Sequence, residues 1–330
     1  MMALFFLLMA HTGPAPGMAA LIRQNGAEEL RVSGRSVLPE GPQVSEQTCF
    51  RMASVSKQFT AACIILLKNE GKLSYEDPLD KFFPGFDPAV RLKHLLTHTS
   101  GLYDYEGLIP AGRTEQVSDA DVLKWVSGIG ATYFVPGSRY RYSNSGFCIL
   151  SQVVEKVSGQ PYAEFLKERI LGPLGMDHSF IYRAGEPMPA RALGYALQND
   201  KVTESDQSVT SATKGDGCLY TSLADYRKWM DAIVENRLFN LEQELKQVNY
   251  RIKEDLFYGL GWFNIGGNEL FHTGSTCGFS NVVWLTLDGR NALVYFSNLA
   301  DYHAPAFVLE NGLKFRKPAF ALEKVLTLTD

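Results

Sequence analysis

Both ends of the chain carry short runs of apolar and β-branched residues that break at pairs of turn-forming residues. The runs lie at 18–32, 258–271 and 281–298, and the breaks at Asn25-Gly26, Gly266-Gly267 and Asp288-Gly289. Such pairs favour the tight turns that connect antiparallel strands. We therefore expect one antiparallel sheet assembled from both chain ends.

The middle of the chain has apolar residues at helical spacing. Residues 54–70 and 146–157 are apolar every three or four positions, and the two runs stop at Gly71 and Gly159. Ser118-x-x-Asp121 has the pattern of a capping box and opens another helix. Strands at the ends with helices between them predict an α+β fold with a mostly helical insertion.

Composition and charge narrow the range of partners. The chain has 330 residues, 45% of them hydrophobic and 21% charged, with a formal net charge of -4. These values are typical of a globular protein and exclude a largely disordered one. Without a basic run there is no basis for nucleic-acid binding, so we expect a small-molecule or peptide substrate. The sequence leaves the oligomeric state open.

The N-terminal residues bear on the cellular compartment of the protein. Residues 1–10 form the longest apolar run, about half the length that a transmembrane helix needs. No Lys or Arg precedes this run, which favours a short packed helix and a cytoplasmic protein. The alternative is that residues 1–10 act as a signal segment and the protein is exported or periplasmic.

Several common catalytic patterns are missing. The sequence has no G-x-S-x-G, H-E-x-x-H, Walker or G-x-G-x-x-G motif, which removes support for α/β-hydrolases, zinc peptidases and nucleotide-binding folds. Its five cysteines are widely spaced and are expected to be buried free thiols. His94 and His98 are four residues apart, but their context indicates packing and a turn. We predict no metal and no organic cofactor.

The pattern S-x-x-K occurs twice, at Ser54–Lys57 and at Ser211–Lys214. Only the first pair opens a long apolar helix, which would hold the lysine one turn from the hydroxyl. A serine hydroxyl becomes a good nucleophile when a neighbouring base takes its proton. The first pair is therefore the candidate nucleophile and base, although a helix cap and a surface amine remain an equal alternative from these residues alone.

Two later motifs favour the catalytic interpretation of Ser54 and Lys57 over the cap and surface amine. Tyr142-Ser143-Asn144 precedes a helix, and His272-Thr273-Gly274 ends a strand run. Taken in this order with Ser54 and Lys57, they resemble the penicillin-recognising serine enzymes: class C β-lactamases, D-alanyl-D-alanine carboxypeptidases and β-lactamase-like esterases. The resemblance extends over about residues 15–300 and includes the run His94-Leu95-Leu96-Thr97-His98-Thr99-Ser100-Gly101-Leu102.

The resemblance implies a β-lactamase/transpeptidase-like fold. Residues 1–60 and 205–330 would form a discontinuous sheet domain, residues 61–204 a helical domain, and the active-site cleft would lie between them. Loops at 102–114 and 184–210 would line that cleft.

The resemblance also implies residue roles. Ser54 would be acylated, and Lys57 and Tyr142 would share its proton and return it to the leaving group. Asn144 would hold the substrate amide and orient Lys57. The backbone N–H groups of Ser54 and Ser275 would form the oxyanion hole, next to Gly274. Thr273 and His272 would meet a substrate carboxylate or polar tail, whereas His98 and Ser100 would shape a loop.

One departure from the family bears on the substrate. Class C β-lactamases usually carry Lys where His272 stands, and an imidazole whose charge changes near pH 6.5 attracts a carboxylate less strongly. We therefore expect an ester or amide substrate, either a small ester or a D-amino-acid peptide, with weak β-lactam hydrolysis at most. The alternatives are a catalytically idle receptor or scaffold that binds penicillin or peptidoglycan, and a different hydrolase in which Ser54 is only a cap.

Overall fold

The structure is a computed structural model that describes residues 14–199 and 201–300. The expectations for residues 1–10 lie outside these described residues. Within them, no helix combines the length and the apolar character needed to cross a bilayer.

Within the described residues, fourteen strands form three sheets. They are β1 (Met18–Gln24), β2 (Ala27–Ser33), β3 (Cys49–Arg51), β4 (Phe180–Ile181), β5 (Tyr195–Gln198), β6 (Lys201–Glu204), β7 (Leu219–Ser222), β8 (Tyr250–Lys253), β9 (Leu256–Gly259), β10 (Trp262–Ile265), β11 (Glu269–Thr276), β12 (Phe279–Thr286), β13 (Ala292–Ser297) and β14 (Leu299–Ala300). The large sheet has the order β2-β1-β13-β12-β11-β10-β9-β8, and every neighbouring pair in it is antiparallel. The expected sheet from both chain ends is confirmed.

In the same part of the chain, eight α-helices lie between and around these strands. They are α1 (Lys57–Asn69), α2 (Leu92–Leu96), α3 (Asp119–Ile129), α4 (Asn144–Ser158), α5 (Tyr162–Leu166), α6 (Lys214–Gly217), α7 (Leu223–Val234) and α8 (Leu241–Gln247). Ser118 caps α3 through the expected capping box, and α4 ends at Gly159 in a left-handed conformation. The predicted α+β class is confirmed.

Helix α1 is the central element of the core. Ten of its residues are buried, and Phe59 stacks on Trp229 of α7 with ring centroids 4.4 Å apart. The side chain of Gln58 in α1 accepts hydrogen bonds from Tyr226 and Trp229 of α7. A helix that is buried on nearly all sides cannot shift without disturbing the whole core, so its N-terminal end is a rigid place for a functional group.

One strand prediction needs correction. The run 258–271 was expected to break once, but it also breaks at Leu260 and Gly261, which have φ angles of 54° and 79°. A side chain at Gly261 would lie 2.6 Å from the backbone nitrogen of Gln58. The close approach of this turn to α1 therefore requires glycine, and the alternation of apolar residues does not reveal such a contact.

The two small sheets have the orders β14-β5-β6 and β3-β7-β4. The second pairs Phe50 with Thr221 and so fixes the segment that leads into α1. All five cysteines are free; four are buried, and Cys277 is partly exposed. The division into a discontinuous sheet domain and a helical domain at the predicted boundaries stays a prediction.

Candidate active site

Ser54 lies in a short 3-10 turn, Ala53–Ser56, between β3 and α1. The turn is anchored because the Met52 N–H donates to the carbonyl of Leu219 in β7 at 2.8 Å. Ala53 has a φ of 47°, a left-handed conformation that is uncommon for a residue with a side chain. Such strain persists only where the surroundings impose it and is frequent at functional sites.

Lys57 is the first residue of α1 and is fully buried. Its Nζ donates to Ser54 Oγ at 3.1 Å, to Asn144 Oδ1 at 2.8 Å and to the backbone oxygen of Asp216 at 3.0 Å. These three acceptors match the three protons of an ammonium group. The lysine is thus held as a cation directly beside the hydroxyl of Ser54.

The surroundings of Lys57 preserve its charge. Burial by itself lowers the pKa of Lys57, but the nearby oxygens of Tyr142 and Asp216 offset this effect, and the pKa is raised overall. Asp216 is itself only 6% exposed, and burial raises the pKa of its carboxyl group although Lys57 opposes that shift. A buried cation next to an anion is far less costly than either charge alone.

Tyr142 and Asn144 stand at the start of α4, on the other side of Lys57. The Lys57 Nζ lies 5.0 Å from the centre of the Tyr142 ring. The Tyr142 hydroxyl is buried without a hydrogen bond of normal geometry to the described residues, but it lies close enough to the Lys57 ammonium to raise the pKa of Lys57. The Asn144 Nδ2 donates to Glu106 Oε1 at 3.1 Å, and its backbone N–H donates to Asp104 Oδ2 at 2.8 Å.

Strand β11 forms the opposite wall and brings Gly274 against the turn of Ser54. A side chain at Gly274 would lie 2.2 Å from the oxygen of Met52 and 3.2 Å from the nitrogen of Ser54. The Asn281 Nδ2 reinforces this contact by donating to the oxygens of Arg51 and Gly274. The next residue, Ser275, therefore follows directly on the segment that touches Ser54, as the predicted oxyanion hole requires.

His272 does not present a free cation to this cleft. Its ring is 1% exposed; Nδ1 donates to the carbonyl of Thr273 at 2.6 Å, and Nε2 accepts from the Tyr258 hydroxyl at 3.1 Å. Burial, together with Lys57, lowers the pKa of His272 to about 3. The expectation of a charge change near pH 6.5 is wrong for this ring, whereas Thr273 remains partly exposed.

The low pKa of His272 has a consequence for stability. In the unfolded chain this histidine takes up a proton below about pH 6.5, whereas the folded protein leaves it neutral down to about pH 3. Between pH 6 and 4 it therefore reduces stability as the pH falls, by about 1.4 kcal/mol per pH unit. We expect His272→Asn to reduce the pH slope of the unfolding free energy by about this amount in urea titrations; an unchanged slope would show that the folded ring titrates normally.

Several supporting residues of the site were not found from the sequence. Asp216 contributes a backbone oxygen, Asn281 supports Gly274, and Glu106 binds Asn144 from the predicted cleft loop. Backbone acceptors and supporting amides have no sequence pattern of their own. Only the position of Glu106 within the loop 102–114 could have suggested it.

The second S-x-x-K pair has other partners. Lys214 does begin a short helix, α6, which was not expected, but its Nζ pairs with Glu155 at 3.0 Å. The Ser211 Oγ accepts from the backbone N–H of Ser208 at 2.8 Å. Over residues 14–199 and 201–300, no group of three or more His, Cys, Asp or Glu residues could hold a metal ion.

Comparisons with known proteins identify the family of the chain. The Beta-lactamase family model matches residues 8–311. Penicillin-binding protein 4* of Bacillus subtilis is 31% identical over 288 residues, which are 80% of this chain and 64% of that protein. The chain thus spans slightly less than two thirds of the length of this relative.

Solved structures share the fold. A penicillin-binding protein from Bacillus halodurans aligns with a TM-score of 0.77 at 24% identity, covering 94% of this chain and 95% of the other. The D-amino acid amidase of Ochrobactrum anthropi aligns with a TM-score of 0.75 at 22% identity, covering 92% and 94%. With most of the chain matched by one family model, the protein belongs to the β-lactamase family, within the superfamily of penicillin-recognising serine hydrolases.

Proposed function

We propose that this protein is a serine hydrolase that forms an acyl-enzyme on Ser54 and cleaves small esters, or amides and peptides of D-amino acids. The observation that carries the proposal is the 3.1 Å hydrogen bond from the buried Lys57 ammonium to Ser54 Oγ. This contact places the nucleophile beside a buried cation that can stabilise the negative charge developing when the hydroxyl loses its proton.

In the first step, Ser54 Oγ attacks the substrate carbonyl carbon, and the C=O bond becomes a tetrahedral oxyanion. The step requires Tyr142 in its deprotonated form: the phenolate oxygen accepts the Ser54 proton, while the Lys57 ammonium, which donates to Ser54 Oγ, keeps its own protons. The N–H groups of Ser54 and Ser275 stabilise the oxyanion.

The tetrahedral intermediate then collapses. The bond to the leaving alcohol or amine breaks, and the leaving group takes the proton back from Tyr142, which leaves an ester on Ser54. A water molecule repeats the sequence in the second half-reaction: it gives a proton to Tyr142, forms a bond to the acyl carbon and expels Ser54, which recovers that proton. Asn144 holds the substrate amide and keeps Lys57 in place.

The charges at the site argue against a substrate that needs its carboxylate recognised. His272 is neutral and both of its ring nitrogens bind protein groups, so Thr273 is the residue of this motif left for a polar tail. Lys57 donates its three ammonium protons to Ser54, Asn144 and Asp216, so none is left for a substrate carboxylate. We therefore expect β-lactams and peptides with a terminal carboxylate to react slowly.

Negative charge beside Asn144 favours a substrate that carries an amino group rather than a carboxylate at this position. Within the described residues, neither Asp104 nor Glu106 forms an ion pair, and both bind the Asn144 side of the site. Burial, Asp104 and Asp216 raise the pKa of Glu106, a shift that a cation would reverse. The D-amino acid amidase shares this fold, which supports substrates that keep a free ammonium group.

The role of Glu106 can be tested with Glu106→Gln, which keeps a hydrogen-bond acceptor for Asn144 and removes the charge. We expect the ratio of kcat/KM for a D-phenylalanine ester to that for its N-acetyl derivative to fall by about 10-fold, since 1.4 kcal/mol of lost attraction corresponds to that factor. Glu242→Gln, at an exposed position of helix α8, should leave the ratio unchanged. An unchanged ratio in Glu106→Gln would remove the amino-group preference but not the serine chemistry.

The hydrolase proposal itself is tested with the wild-type protein. One fluorophosphonate molecule should attach to the peptide that contains Ser54 and be detected as an increase in its mass. The protein should also turn over p-nitrophenyl butyrate many times. One stoichiometric release of p-nitrophenol followed by no turnover would favour an idle receptor. No adduct and no turnover would reject the proposal.

A further inference from the structure

His98 binds the backbone on both sides of Tyr142. Its carbonyl oxygen accepts the N–H of Arg141 at 2.9 Å, and its ring Nδ1 accepts the N–H of Ser143 at 3.2 Å. His98 is 1% exposed and adopts a φ of 55°, so a left-handed turn after α2 places both acceptors on the same side. The two peptide groups that flank Tyr142 are thus attached to one residue.

The ring of His98 also contacts the phenol itself. Its centroid lies 4.2 Å from that of Tyr142, with 37° between the planes, and 4.4 Å from that of Tyr258. Phe147 of α4 closes another side at 5.2 Å. Aromatic rings at these separations attract each other and restrict rotation. Tyr142 is therefore restrained at its ring as well as at its backbone.

We infer that His98 is a positioning residue that sets where the Tyr142 hydroxyl stands relative to Ser54 and Lys57. This inference rests on the proposed function, in which Tyr142 carries the proton. No hydrogen bond of normal geometry to the described residues fixes the Tyr142 hydroxyl; its position beside the Lys57 ammonium, whose pKa it raises, follows from its backbone and ring. Small errors in the placement of a proton-transfer group cost large factors in rate.

The contact requires an unprotonated Nδ1, and the surroundings provide one. Burial, followed by the charge of Lys57 and the proximity of His272, lowers the pKa of His98 well below its ordinary value. The remaining titratable groups around the ring are the phenols of Tyr140, Tyr142 and Tyr258. The Nδ1 lone pair should therefore remain available for Ser143 at neutral pH.

Two substitutions distinguish the contribution of the His98 Nδ1 acceptor from that of the His98 ring. His98→Asn places an amide oxygen close to the position of Nδ1 and tolerates the left-handed backbone, but it loses the ring. His98→Phe keeps a ring against Tyr142 and loses the acceptor. His94 offers a matched control, because its Nδ1 also accepts a backbone N–H, from Arg91 at 3.2 Å, in the capping box of α2.

The kinetic test is a double-mutant cycle with Tyr142→Phe. We expect His98→Phe to lower kcat for a p-nitrophenyl ester by about 10- to 100-fold with little change in KM, and His98→Asn to retain more activity. In the Tyr142→Phe background the same change should cost about 2-fold or less, because the group that His98 positions is gone. An equal loss in both backgrounds would overturn the inference.

Amide hydrogen exchange provides a readout that does not depend on activity. In His98→Phe the segment 140–146 should exchange faster than in wild type, whereas His98→Asn should stay protected and His94→Asn should leave the segment unchanged. If the wild type forms no acyl-enzyme, the proposed function fails, and exchange still decides whether His98 restrains Tyr142. Unchanged exchange in His98→Phe would contradict that restraint.

Discussion

Replacing Ser54 with alanine is expected to abolish the fluorophosphonate adduct and to lower kcat for p-nitrophenyl butyrate by about 10⁴- to 10⁶-fold. The hydroxyl is the only atom of the site that would form a covalent bond to the substrate. The 3-10 turn and the helix that follows it do not depend on the hydroxyl, because the turn is held by backbone contacts to β7. Intact-protein mass spectrometry and steady-state kinetics measure the two effects.

Ser211→Ala is the matched control for this experiment, because Ser211 begins the second S-x-x-K pattern. Its hydroxyl accepts a hydrogen bond from Ser208, and Lys214 is paired with Glu155. Labelling and turnover should therefore survive in Ser211→Ala. An adduct that persists in Ser54→Ala would move the nucleophile elsewhere and reject the assignment of Ser54.

The sequence predicted the site through side chains that carry their chemistry in a fixed local pattern. Ser54 and Lys57 are one helical turn apart, and that spacing by itself brings Nζ within 3.1 Å of Oγ. Joining them to Tyr142 and to Gly274 needs long-range packing, which no local pattern contains. The resemblance to a family supplied that connection.

What the sequence missed was the environment of the site. Residue types do not predict that the Tyr142 hydroxyl is buried without a hydrogen bond of normal geometry, or that His272 is neutral. Both depend on burial among neighbours far apart in the chain. Similarly, the turn at Leu260 and Gly261 exists because α1 passes close to it. The fold class followed from periodicity, whereas charges and close contacts required the structure.

Lys57→Met is the second change with a very large expected effect. Methionine matches the length of the lysine stem but removes the ammonium that donates to Ser54, Asn144 and the Asp216 carbonyl. Without this cation, negative charge on the serine or phenol oxygen would no longer be stabilised during attack. We expect kcat to fall by about 10³- to 10⁴-fold, measured as the rate of acyl-enzyme formation in rapid mixing.

The stability of this variant distinguishes catalysis from folding. Replacing Lys57 removes the donor to the Asp216 carbonyl and the nearby charge that opposes the raised pKa of the Asp216 carboxyl group, which lowers stability unless that group takes up a proton. Because burial already raises the pKa of Asp216, we expect protonation to limit the loss, so that Lys57→Met is relatively more stable at pH 5 than at pH 8. Lys57→Arg keeps the charge with a different shape, and it should regain stability but little activity. Recovery of most of the rate in Lys57→Met at any pH would show that the ammonium is not needed for acylation of Ser54.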